Sequence, residues 1–146
     1  MKKQYALFIV ASLAFAACSK SNDPAPDAST VVAGTYQLTY LREDSASVVD
    51  SINLPYKING TTVASGTIIA TRIASATLTD SISFTFLVNG TPSDYPLGRV
   101  TVQTNGTSYD LYDGADKIGT ADGTNISIDT DPQDTQTYRI VLKGKK

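Results

Sequence analysis

Alternation of apolar and polar side chains constrains this chain more than any other feature. From Thr77 to Val88, Leu78, Ile82, Phe84, Phe86 and Val88 fall on one parity, while Thr77, Thr79, Ser81, Ser83 and Thr85 fall on the other. Successive side chains of a strand point to opposite sides of the pleat, so such a segment buries one face and wets the other. Shorter alternations run through residues 34–41, 51–58 and 99–104, placing Tyr36, Leu38 and Tyr40 together, then Ile52, Leu54 and Tyr56, then Val100 and Val102. Further short strands are expected at 108–112, 117–120, 125–129 and 137–143. No long stretch repeats its apolar residues at helical spacing, so the fold class is all-β.

Asn59-Gly60, Asn89-Gly90, Asn105-Gly106, Asp113-Gly114 and Asp122-Gly123 stand between these segments. Each pairs a residue that tolerates positive φ with a glycine, which predicts hairpins between sequential strands. The recurring Asn-Gly-Thr is irregularly spaced and reads as reused turn chemistry. About eight short strands joined this way predict a small antiparallel up-and-down β-barrel, with a two-sheet sandwich as the alternative. Residues 42–50, 90–97 and 130–136 are expected to be the longer loops.

The N-terminus tells a separate story. Lys2 and Lys3 precede an apolar run from Tyr5 to Ala17, a length suited to export but too short for a permanent membrane span. Leu13-Ala14-Phe15-Ala16-Ala17-Cys18 resembles the lipobox read by the lipoprotein signal peptidase, and Cys18 is the chain's single cysteine. The reading divides the chain into a signal peptide (1–17), a lipidated Cys18 with a flexible tether (18–32, most plainly Ser19 to Thr30), and one barrel domain (33–146). Acyl chains on Cys18 contribute about 0.8 kcal/mol per buried methylene, so two or more hold a protein on a membrane. Ser19 after the cysteine favours the outer membrane of the cell envelope.

Loss of Lys2 and Lys3 with the signal peptide leaves ten basic residues against fourteen acidic ones, a formal charge of −4. The basic residues are scattered apart from Lys143, Lys145 and Lys146, which read as a solvated tail. Nucleic acid as a partner is therefore not expected, since phosphate recognition needs a basic stripe.

Catalytic chemistry is thinly supplied. The chain has no histidine, a lipidated cysteine has no thiol, and no serine lies in a nucleophile elbow. Asp110, Asp113, Asp116 and Asp122 crowd one region and Asp129, Asp131 and Asp134 another, but Asp-Gly hairpins require such residues and the second group lacks the glycine and glutamate of an EF-hand loop. No catalytic role, cofactor or metal is assigned. Asp80 is more pointed, because it shares parity with Ile82 and Phe84 and faces inward on a regular strand, where a carboxylate needs a partner. Arg72 lies opposite it across a hairpin centred near Ser75 and Ala76. Asp80 and Arg72, with Tyr36, Tyr40, Tyr56 and Tyr109 on core parity, form the candidate ligand-binding set. A bulge or a rim position for Asp80, and plain packing for the tyrosines, are the alternatives.

Gly34-Thr35-Tyr36-Gln37-Leu38, Gly66-Thr67-Ile68-Ile69-Ala70-Thr71-Arg72-Ile73, Tyr109-Asp110-Leu111-Tyr112-Asp113-Gly114, Ile118-Gly119 and Tyr138-Arg139-Ile140-Val141-Leu142-Lys143 together resemble the lipocalin-like lipoproteins of Bacteroidota, over most of residues 33–143. Lipocalins open with Gly-x-Trp, and this chain has no tryptophan; the resemblance implies that Tyr36 takes the place of that ring at the closed end, with Arg139 packed over it. It also implies a membrane-anchored binding module that takes a small apolar ligand. Asp44-Ser45-Ala46 looks like the O-glycosylation signal of exported proteins of that group, which makes Ser45 a candidate. The alternative function is an envelope structural or protein-interaction module with a side-chain-filled barrel. An internal cavity of about 300 Å³ or more discriminates the two.

Overall fold

A computed structural model describes residues 26–45, 48–74 and 78–146. The expected signal peptide (1–17), Cys18 and residues 19–25 of the expected tether lie outside the described residues. A five-residue helix α1 (Ala28–Val32) precedes ten strands: β1 (Gly34–Ser45), β2 (Val48–Asn53), β3 (Tyr56–Ile58), β4 (Thr61–Arg72), β5 (Thr79–Val88), β6 (Thr91–Asn105), β7 (Ser108–Asp113), β8 (Asp116–Ala121), β9 (Asn125–Asp129) and β10 (Tyr138–Lys145). All pair antiparallel in one sheet of order β2-β1-β10-β9-β8-β7-β6-β5-β4-β3, and a further β1–β4 pairing closes eight of them into a ring. The fold is an all-β, up-and-down meander.

The ring is uneven. Closure between β1 and β4 spans only Gly34–Gln37 against Thr67–Ala70. Beyond Gln37, β1 is flanked by β2, and the first half of β4 is flanked by β3. The segment 51–58, expected as one strand, is thus split around Leu54 and Pro55 into two edge strands. Two expected loops are strand instead. Residues 42–45 continue β1 and 48–50 begin β2, while β6 starts directly after the Asn89-Gly90 turn, where φ is positive at both residues (50° and 81°), as a tight hairpin requires. Pro92 and Pro96 are accommodated because β6 between Thr91 and Val100 pairs with β5 on one side only, and β7 joins at Thr101.

Tyr36, Leu38, Ile68, Ile82, Val100, Val102, Leu111, Ile126, Ile128 and Leu142 fill the ring and are essentially inaccessible to solvent. Gly66 admits this density: a Cβ there would lie 2.6 Å from the Thr85 carbonyl oxygen and 2.9 Å from Leu38 Cδ2. A side-chain-filled interior is what a small ring of short strands gives.

α1 lies across the end of the ring where β1 and β5 begin and β4 and β10 finish. Asp27 caps it, accepting from Thr30 N at 2.8 Å, and Ala28, Ser29 and Val32 are buried. Residues 27–32 therefore belong to the domain and not to the tether. A five-residue helix is too short to display helical periodicity in the sequence.

Candidate functional site

The closed end is built first by β1. Tyr36 turns inward from its second residue pair, is fully buried, and donates its hydroxyl to the Val32 carbonyl at 2.5 Å. Burial, and to a lesser extent Asp122 and Asp80, raise its phenol to about 12. Lys146 Nζ lies 4.8 Å from the centre of the Tyr36 ring and donates to the carbonyls of Ala33 (2.9 Å) and Val31 (3.2 Å). The cation over Tyr36 is thus Lys146 and not Arg139. Arg139 sits opposite Asp44 toward the other end, donating through Nε and Nη2 to Asp129 at 2.8 and 2.5 Å. Lys146 is correspondingly no solvated tail but the clasp on the C-terminal carbonyls of α1.

Asp80 enters the same end from β5. Its Cα pairs with that of Arg72, so the two face each other across the hairpin as its spacing predicts. The ion pair, however, goes elsewhere: Arg72 donates to Asp27 (Nη2 to Oδ2, 2.6 Å), and Asp80 accepts from the Ser29 hydroxyl. Asp80 is completely buried, and its second oxygen has no hydrogen-bond partner among the described residues. Burial raises its pKa against the opposing pull of the Ser29 hydrogen bond; Asp27 adds to the rise and Arg72 reduces it. The Arg72 hydrogen bond holds Asp27 down at about 2. Both polar candidates, with Tyr36, are consumed in fixing α1 to the ring.

The remaining tyrosines do not join them. A register shift between Leu38 and Tyr40 marks a bulge in β1, which turns Tyr40 outward beneath Lys143 Nζ (5.5 Å from the ring centre), turns Leu41 inward and sets the exposed Glu43 at the rim of the mouth. Tyr56 lies on the edge strand β3, 46 % exposed, and Tyr109 packs against the core from β7. The six candidates do not converge on one cavity. Ser45 is the exposed last residue of β1.

The acidic clusters resolve into turn and ladder chemistry. Asp122 accepts from Thr124 N, Asn125 N and Asn125 Nδ2; Asp131 accepts from Thr135 Oγ1 and Gln136 N; Asp110, itself buried, pairs with Lys117 and accepts from Asn105. Among the described residues no group of three or more acidic side chains is disposed to hold a metal ion.

Space is found instead at the opposite end, the mouth. There Leu41 and Glu43 of β1, Phe84 and Phe86 of β5, Tyr95 of β6, and Tyr138 and Ile140 of β10 line a cavity of about 140 Å³. The Phe84 and Tyr95 rings stack with centres 4.7 Å apart. Tyr138 donates its hydroxyl to Glu43 Oε1 at 2.6 Å, a bond that, with burial, pushes its phenol up to about 12. Sequence reasoning missed this group for two reasons: Tyr95 lay in a segment expected to be loop, and the β1 bulge reversed the parity that assigns Leu41 and Glu43 to a face. A larger depression, about 570 Å³, is an open groove running over Thr39, Thr120, Ser127 and Lys143 on the outside of the sheet. Comparison with family models, with curated proteins and with solved structures finds no match to the chain.

Proposed function

We propose that this is a lipid-anchored lipoprotein of the cell envelope whose barrel is a filled interaction module, presenting its mouth and edge strands to another envelope component. The lipobox around Cys18 supports the anchor. The observation that carries the rest is the packing of the interior: the cavity at the mouth, about 140 Å³, is under half the roughly 300 Å³ at which drug-sized ligand pockets begin. A sizeable lipid or metabolite does not fit between walls already occupied by Tyr36, Ile68, Ile82 and Leu142.

Edge strands β2 and β3 support the contact role. Val48, Val49, Tyr56 and Ile58 on them are 46 to 64 % exposed, and both strands end the sheet without a further strand beside them among the described residues. Native mass spectrometry of the protein released gently from membranes tests the reading. The expected species is the acylated polypeptide alone, its chain starting at Cys18. A discrete extra mass lost on denaturation and too large for the mouth cavity of about 140 Å³ would overturn the filled-module reading, and an unacylated N-terminus would overturn the anchor.

A further inference from the structure

The mouth cavity differs from the rest of the interior in being hollow, aromatic and polar on one side only. Leu41 and Ile140 form one apolar wall, and Phe84 stacked on Tyr95 forms the other. Glu43 and the Tyr138 hydroxyl stand on the solvent side, with one Glu43 oxygen taken by Tyr138 and the other left to accept. An apolar cavity of about 150 Å³ takes a benzene-sized molecule, and this one is of that size, about 140 Å³. A pyranose ring would carry hydroxyls around its whole rim, and those against Leu41, Phe84 and Ile140 would be left unpaired, a cost that selects strongly against it.

We propose that the mouth of the ring is a binding site for a single hydroxylated aromatic ring, a phenol, whose face lies against the aromatic wall and whose hydroxyl donates to Glu43. Tyr95, stacked on the buried Phe84, is 41 % exposed, so the aromatic wall is open to an entering ring. Phenols reach such a site either as free small molecules or as tyrosyl side chains of a polypeptide, and both present the same chemistry. The inference depends neither on the lipid anchor nor on a partner protein.

Methyl NMR of the detergent-solubilised protein tests it, with free probe concentrations set by dialysis. Phenol is expected to shift the Leu41 and Ile140 methyl resonances saturably while those of Leu142 and Ile68, deep in the ring, stay in place. Toluene should bind about tenfold more weakly, because it cannot hydrogen-bond a carboxylate. Glu43→Ala should abolish the preference for phenol over toluene. Tyr95→Ala, which removes the outer ring of the aromatic wall at a partly exposed position, should weaken both probes several-fold. No saturable shift with phenol, equal binding of the two probes, or indifference to both substitutions would overturn the proposal. A tripeptide with a central tyrosine that displaces phenol identifies a polypeptide source, and failure to displace identifies a free phenol.

Discussion

Asp80→Asn isolates the physics of the closed end. Asp80 is fully enclosed, accepts from Ser29, and leaves its second oxygen unpaired, so the ionised form is stabilised by much less than water would provide. Its pKa in the folded state is raised, chiefly by burial. A raised carboxyl contributes stability that is complete below its unfolded value, about 3.9, and is lost as pH rises through the folded value. Asparagine has nearly the same shape, still accepts from Ser29, and carries no charge to desolvate. The variant should match the parent near pH 4, where both carry a neutral group, and exceed it at pH 7 by about 1 to 3 kcal/mol, the order of the extra cost of holding a charged rather than a neutral group there. For a body of this size the unfolding entropy is roughly 0.25 kcal/mol/K, so Tm should rise by about 4 to 12 °C at pH 7. Thermal unfolding by circular dichroism between pH 4 and 8 reads the difference, and the other carboxylates cancel between the two proteins. A variant that is less stable than the parent at pH 7, or a gain equal at pH 4 and pH 7, would refute the argument.

Three further outcomes are expected. Tyr36→Phe removes the hydroxyl that Val32 accepts, leaving a buried carbonyl unpaired, and should lower stability by about 1 to 2 kcal/mol in denaturant titrations. Gly66→Ala sets a methyl 2.6 Å from the Thr85 carbonyl, which belongs to backbone and cannot rotate away; overpacking of about 1 to 3 kcal/mol is expected, and an unchanged unfolding midpoint would contradict the packing described. Arg72→Met should return the Asp27 carboxyl from about 2 toward 3.8 in an NMR titration. Because the parent's value is depressed, the stability that this pair contributes is present above the ordinary carboxylate range and lost as pH falls toward about 2, so the parent's advantage over the variant should vanish over that interval.

Strand periodicity and turn chemistry carry the fold into the sequence because both are local. The alternation around Ile82, Phe84 and Phe86 and the Asx-Gly pairs are each read within a few residues, and they suffice for an antiparallel meander. What stayed hidden is set by distant partners. The bulge that turns Tyr40 out and Leu41 in exists through the register of β1 against β10, more than a hundred residues away, and nothing near Thr39 announces it. Asp80 was legible as an inward carboxylate, and its facing of Arg72 follows from hairpin counting. That Arg72 would turn to Asp27 required knowing that α1 folds onto this end. Lys146 and Arg139 exchanged their expected places for a similar reason, since only the end of β10 lies beside Tyr36.

The position of α1 also fixes which way the mouth points if Cys18 carries lipid. The chain enters the domain at Asp27, at the closed end, where Lys146 and Arg72 hold α1 and its cap in place. Nine peptide steps from Cys18 to Asp27 reach at most roughly 30 Å, so the closed end stays near the bilayer and the mouth, at the far ends of β5 and β10, opens away from it. Cys18 is the chain's single cysteine, so if the anchor occupies it an introduced cysteine can be labelled alone. Thr124→Cys places a fluorophore in the β8–β9 turn beside α1, and Thr91→Cys places one at the mouth, both at exposed positions. With the protein reconstituted into vesicles containing doxyl-labelled headgroup lipid, the label at residue 124 should be quenched more strongly than the label at 91. Stronger quenching at 91 would mean that the barrel lies mouth-down, which the short tether and the clasped helix make geometrically unfavourable, and would remove the mouth as a surface open to soluble ligands.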